Sequence, residues 1–375
     1  MKIKVNKHIK VVFWIITILF PLLFYIENFD ISYGFTDLIY FGEFFSENAI
    51  SKLQETPHKI KEGFGYDGQF YAQIALDPLL LNEELPQAID SVSYRSRRIF
   101  LPFLSFIFGL GIPVIIINIY AILNLFFYYI LLFIVNKYLK PSNLHEFLIL
   151  VPILYGTGTF FSYRMSLPDL PSTVLIFIGI FSQTPIFFSL AFLTKETTIV
   201  NILGIIRSDQ SKLKNLQKMI AVSLPLMIWI LYISLRLGIS GSFGSSGNFA
   251  FPGTAIIHQA TNLFGKMLNP FDFESFTMLL ALISITFQSL FMFFHPNPRN
   301  PIWRVGVASA VLFLFLGEEV LMQDIAFCRA LLPLTFSFNF LLKDNENNFF
   351  KWLIIGNMGL FGGIGRTIFL YNWIF

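Results

Sequence analysis

The sequence is poor in cysteine, histidine and charge. One cysteine, Cys328, in 375 residues excludes an intramolecular disulfide, a CxxC zinc site and an iron–sulfur cluster. The five histidines include His58, His258 and His295, and these show no ligand-like spacing. Charged residues make up 13%, about half of the roughly 25% that a soluble globular protein carries. That supply cannot coat a water-facing surface for a chain of this length, so a set of two or three soluble domains is ruled out. A net charge of +3 gives no support to nucleic-acid binding.

What the chain has is apolar: 55% hydrophobic residues, with 47 phenylalanines. Residues Met1–Lys10 carry four lysines and no acid before the apolar run Val11–Tyr25. A secretory signal would be followed by a small-x-small cleavage site. Ile26-Glu27-Asn28-Phe29-Asp30 follows instead, so this run reads as an uncleaved first span with a cytoplasmic N-terminus. Further spans are predicted near 113–136, 144–162, 170–183, 219–237, 273–294, 304–320, 329–342 and 350–371, where apolar stretches approach the roughly 20 residues a crossing needs.

Two stretches fall short of that length. Residues 185–206 are interrupted by Lys195-Glu196, and each half is too short to cross a core roughly 30 Å thick at about 1.5 Å per residue. A half-crossing hairpin with Lys195-Glu196 at its tip is predicted. Ile99–Gly111, bracketed by Pro102, Gly109, Gly111 and Pro113, reads as a helix in the outer leaflet.

The fold class is therefore all-α: a polytopic membrane protein with about nine to eleven transmembrane or half-crossing helices. It forms a single integral membrane domain over 1–375, with interfacial helices in a large extracytoplasmic loop at 27–98. Charge supports this layout through the positive-inside rule. The segments placed in the cytoplasm hold 14 Lys and Arg against four acids, and everything else is net negative.

Loop 27–98 holds 12 of the 23 acids, and a long ordered loop without its own core usually carries function. Within it, Gly63-Phe64-Gly65-Tyr66-Asp67-Gly68-Gln69-Phe70-Tyr71 precedes a short amphipathic helix ended by Asp77-Pro78. Asp67 is either that helix's N-cap or an exposed reactive carboxylate. Arg95, Arg97 and Arg98 run against the positive-inside trend. They either anchor to lipid phosphates or bind a lipid-linked phosphate through bidentate forks, with Arg95 and Arg98 on one helical face. Lys195 and Glu196 either satisfy each other or face a cavity. Intramembrane charges are functional candidates by default, so Arg329, at the head of a later span, and the neighbouring Glu318, Glu319 and Asp324 join the list. Asp169 is a helix cap or a second site carboxylate.

These motifs together resemble bacterial polytopic proteins of the glycosyltransferase-C superfamily. The resemblance rests on Tyr66-Asp67-Gly68-Gln69-Phe70-Tyr71, Tyr94-Arg95-Ser96-Arg97-Arg98-Ile99-Phe100-Leu101-Pro102, Thr194-Lys195-Glu196-Thr197 and Arg329-Ala330-Leu331-Leu332-Pro333, about a tenth of the chain. It implies transfer of a sugar, with inversion, from a polyprenyl-phosphate donor on the extracytoplasmic face of a bacterial cytoplasmic membrane. Asp67 would be the general base, and Arg98, Arg329 and Lys195 would neutralise the phosphate leaving group. The wider expected substrate shell is Gln69, Tyr71, Arg95, Asp169 and Glu196. Many relatives carry an adjacent acidic pair after the first span, whereas this box has one acid. No obligatory metal is expected, and a divalent ion is left open. Membrane lipids are expected partners, while the acceptor and the oligomeric state are not fixed. Two competing readings are a transporter or lipid flippase, whose sites also use broken helices and intramembrane charge, and a non-catalytic partner in envelope glycan assembly.

Overall fold

A computed structural model describes residues 4–238, 247–268, 271–322, 326–345 and 348–360. The end of the predicted last span (361–371) and Asp324 lie outside the described residues. Helices of eight or more residues are α1 Lys7–Glu27, α2 Gly68–Leu76, α3 Phe100–Phe108, α4 Pro113–Leu139, α5 Leu144–Tyr155, α6 Thr157–Arg164 and α7 Asp169–Ser182. They continue as α8 Ile186–Thr194, α9 Lys212–Leu237, α10 Thr254–Leu268, α11 Phe273–Phe294, α12 Pro301–Phe315, α13 Leu332–Leu342 and α14 Phe349–Asn357. A 3₁₀ segment, Glu196–Ile205, follows α8. Sheet structure among the described residues is one parallel pair of two-residue strands, Phe41–Gly42 and Ile60–Lys61.

Five helical stretches are long and apolar enough to cross a membrane: α1, α4, the broken helix α5–α6, α9 and α11. Four shorter apolar helices accompany them, including α7, α12 and α13. The chain is thus an all-α, multi-pass, membrane-associated protein. Two of its spanning helices, α1 and α9, bury only narrow stripes. In α1 only Thr17, Pro21 and Tyr25 are buried, and in α9 only Asn215, Val222, Leu226 and Ile233. Most of their remaining surface is Ile, Leu, Val, Phe and Met, which water would not tolerate over so large an area. In lipid that surface gains nothing from helix contact, so hydrogen bonds must help to fix α1. Tyr25 donates to the Tyr163 carbonyl (3.0 Å), Tyr155 to Thr17 (2.9 Å) and Tyr129 to the Ile18 carbonyl (3.1 Å).

The hairpin forms as the interrupted pattern predicts. α8 ends at Thr194, Lys195 is extended, and the 3₁₀ segment returns along α8. At its base Arg207 donates to Gln183, which closes the two ends on each other. Several predicted boundaries move. The stretch 304–320 is split into Pro301–Phe315 and the start of a short helix Glu318–Met322, with Gly317 between them bonding the Asn248 carbonyl (2.8 Å). The stretch 144–162 breaks at Gly156, which is extended. Helix α10 has no counterpart in the sequence reading; its buried Ala255, Gln259 and Leu263 recur every four residues but are set among polar neighbours.

The largest correction concerns 27–98. This loop is drawn into the protein's main core: Leu38, Ile39, Phe41, Ile50, Leu53, Phe70, Ile74, Leu85 and Ile89 belong to one hydrophobic cluster with residues of the long helices such as Ile116 and Tyr120. Helix α2 is buried at all nine positions, so it is not amphipathic. Gln73 shows why polarity misleads here: it accepts from Ile50 N–H (3.0 Å) and donates to the Ala88 carbonyl (3.2 Å), tying three segments together inside the core. Helix α3 forms within the predicted 99–111 stretch, with Leu101, Pro102 and Ser105 buried and Phe103, Ile107 and Phe108 exposed.

Candidate active site

Asp67 is placed by the glycines around it. Gly65 has φ +70°, and a Cβ there would meet Gly42 N at 2.4 Å and the Tyr40 carbonyl at 2.6 Å. Tyr66 N–H bonds the Tyr40 carbonyl (3.0 Å). At Gly68 a Cβ would meet the backbone carbonyls of Met165 at 2.7 Å and Ile39 at 2.8 Å. Those atoms cannot swing away as a side chain can, so α2 starts against two distant segments only because residue 68 has no side chain. Gly68→Ala is expected to cost about 1–3 kcal/mol through overpacking. A melting curve matching the unsubstituted protein would contradict that contact.

The N-cap reading of Asp67 does not hold: its side chain makes no capping bond. Oδ1 instead meets Arg95 Nη2 at 3.0 Å, and the side chain keeps 21% of its surface accessible. Arg95 is held from behind by Asp90, through Nε–Oδ1 at 3.0 Å and Nη2–Oδ2 at 2.7 Å. It also donates to the Tyr71 hydroxyl (3.4 Å) and lies over the Phe70 ring. Burial alone raises the Asp67 carboxyl's pKa. The guanidiniums of Arg95, Arg329 and Arg98 outweigh that and hold it below the ordinary aspartate value.

The Lys195–Glu196 self-pair is also corrected. Glu196 takes a bidentate bond from Arg98, at 2.8 and 3.0 Å, while Lys195 pairs with Asp169 Oδ1. Lys195 has φ −153° and ψ 111°, and successive side chains of an extended backbone point to opposite sides. The cap reading of Asp169 fails too. It is the first residue of α7, with no capping bond recorded there, and its second oxygen meets Arg329 Nη1 at 3.2 Å. Arg329 Nη2 then donates to Tyr66, beside Asp67 in the chain, at 2.7 Å. Arg95 and Arg98 do not share a helical face, because the short helix Val92–Arg95 ends between them. They converge on Tyr71, whose hydroxyl accepts from both. Burial pushes that phenol up to about 12 despite the two cations, so it stays protonated.

These groups border one cavity of about 970 Å³. Asp67, Arg95, Arg98, Asp169, Lys195, Glu196 and Arg329 line its charged end. Its other wall is apolar: Ile199 and Val200 from the 3₁₀ segment, Leu226 and Ile230 from α9, Leu312 from α12 and Leu316 just beyond it. Two expected site residues do not line it. Gln69 is an internal clamp, accepting from Gly42 N–H (3.0 Å) and donating to the Phe64 carbonyl (2.8 Å). Tyr71 lies behind the arginines rather than in the cavity wall, with 1% of its surface exposed. Conversely, Asp90 and Tyr94 line the cavity without having been assigned a role from sequence, and the candidates Arg97 and Glu319 line it as well. For Asp90, spacing five residues before Arg95 was the available signal.

Among the described residues, no three His, Cys, Asp or Glu side chains are grouped to hold a metal ion. The cavity acids Asp67, Asp90, Asp169 and Glu196 are each engaged by a cation. Compared with known proteins, the chain matches no family model, no curated protein and no solved structure.

Proposed function

We propose that this protein is a membrane glycosyltransferase that moves a sugar from a polyprenyl-phosphate-linked donor to an acceptor hydroxyl. The observation that carries the proposal is the shared cavity, whose charged end brings the carboxylate of Asp67 together with the buried cations Arg98, Lys195 and Arg329, among the further charged residues Asp90, Arg95, Arg97, Asp169 and Glu196, beside an apolar wall. That division suits a ligand with an anionic head and a hydrocarbon chain. The positive-inside charge distribution supports an extracytoplasmic orientation for this end, and the resemblance implies a bacterial cytoplasmic membrane.

In the proposed reaction the acceptor oxygen, hydrogen-bonded to Asp67, attacks the anomeric carbon. The bond from that carbon to the phosphate oxygen breaks, its electron pair stays on the phosphate, and the acceptor's proton passes to Asp67. Arg98, Lys195 and Arg329 stabilise the developing phosphate charge where little water screens it. Each of them is engaged by Glu196 or Asp169 in the free protein, so the donor phosphate substitutes for carboxylates already in place. A carboxylate with a lowered pKa is a weak base towards a free alcohol. It suffices once bond formation has begun, because the acceptor oxygen is then positively charged and strongly acidic. The test is incubation of the purified protein with a panel of polyprenyl-phosphate sugars and candidate acceptors. Consumption of at least one donor is expected, and no turnover of any would overturn the reading.

The pH dependence follows from the sign of the shift. A depressed pKa keeps Asp67 ionised throughout the neutral and mildly acidic range, and the stability of its ion pair is lost only as pH falls through that depressed value. Transfer should therefore be flat from about pH 7 to about pH 4.5. In Arg95→Gln the acid limb should move up by about one unit or more. An unmoved limb would show that Arg95 does not set the basicity of Asp67.

A further inference from the structure

At the base of the hairpin, away from the tip that carries Lys195 and Glu196, a second cavity of about 310 Å³ opens between the end of α7 and the starts of α8, α9 and α12. Arg207, Lys218, Arg299 and Arg304 line it, against the one acid Asp209. Two helix N-termini also border it: Pro185 is the N-cap of α8, and Pro301 is the first residue of α12. Their positive dipole ends favour an anion.

The four cations are not equivalent. Arg207 pairs with Asp209 at 2.7 Å and ties down Gln183. Arg304 is nine-tenths buried, and its guanidinium donates to the carbonyls of Leu203, Pro298, Arg299 and Ile206. Its charge therefore meets carbonyl dipoles rather than a carboxylate. Lys218 and Arg299 have no ion-pair partner among the described residues. Beyond the Arg207–Asp209 pair, the local charge remains positive inside a concave site. Next in the chain to the lining residues Pro185 and Gly204, Ile186 and Leu203 are exposed, so apolar surface borders the cationic mouth.

We propose that this cavity binds the phosphodiester headgroup of an anionic phospholipid, with its acyl chains leaving past the exposed Ile186 and Leu203. Basic pockets between membrane helices recognise such headgroups, and the apolar surface at the mouth favours a lipid over a soluble phosphate. The bound headgroup bridges the α7–α8 turn, the start of α9 and the start of α12, and so braces the base of the hairpin. This site is independent of the glycosyltransferase reading and stands or falls without it.

The test is native mass spectrometry of the purified full chain titrated with phosphatidylglycerol or phosphatidylcholine. One phosphatidylglycerol should be retained in preference to phosphatidylcholine. In Lys218→Ala/Arg299→Ala its retention should fall by about 30-fold, given the usual contribution of each basic side chain to anionic-lipid binding. Equal retention of the two lipids by the unsubstituted protein would overturn the proposal, as would undiminished phosphatidylglycerol binding in the folded double variant. Inorganic phosphate at equal concentration should not displace the lipid; complete displacement would make this a soluble-anion site and overturn the lipid assignment. If the double variant does not fold, Arg299→Gln, altered at an exposed position, serves in its place.

Discussion

Asp67→Asn is expected to lower sugar transfer by about 10²–10⁴-fold, the usual contribution of a positioned general base, while the protein remains folded. The substitution keeps the side chain's shape and leaves an oxygen to accept from Arg95. It removes only the charge and the ability to take a proton. Arg95 is not orphaned, because Asp90 still holds it through two bonds. The cations assigned to the donor phosphate are untouched, so kcat should fall with little change in the donor's KM. Full activity in the folded variant would remove Asp67 from the mechanism. A large rise in donor KM with kcat preserved would instead reassign it to binding.

Asp169→Asn should act mainly on stability. Asp169 is 4% exposed and joins Lys195 to Arg329. Neutralising it leaves two buried cations facing each other without a carboxylate between them. Breaking a buried charge cluster by removing one partner costs about 3–5 kcal/mol, a fall in melting temperature on the order of 10 °C. The proposed donor supplies an anion at the same place, so a polyprenyl-phosphate sugar should raise the variant's melting temperature more than it raises that of the unsubstituted protein. A variant as stable as the original would show that the cluster does not depend on Asp169. Equal donor-induced shifts in both proteins would separate the phosphate from this cluster.

Much of the candidate site was legible in the sequence because its residues are individually costly where they stand. Lys195-Glu196 interrupts an apolar run, Arg95 to Arg98 lie in the acid-rich part of the chain, and Arg329 heads an apolar helix. Such positions can be identified without knowing their partners. The partners themselves were misread wherever a local explanation was available. Asp67 and Asp169 each precede helical residues, as a cap would, and Lys195 adjoins Glu196. In each case the contact that forms instead reaches across the chain, to Arg95, to Lys195 and Arg329, or to Arg98. Gln69 was misassigned for the opposite reason. A polar side chain beside a reactive carboxylate suggests ligand binding, yet both ends of its amide are consumed by backbone groups of the same loop.

Composition and the lengths of apolar runs by themselves pointed to a helical, membrane-associated chain whose residues 185–206 turn back on themselves. These are consequences of hydrophobic thickness and rise per residue, which act on local stretches. Only the tertiary structure decided that the 27–98 loop folds around a buried α2, and that a carboxylate and cations as far apart as Asp67 and Arg329 border one cavity. Buried charges are stabilised by whichever opposite charge the packing brings within about 3 Å, and that distance is not encoded in spacing along the chain.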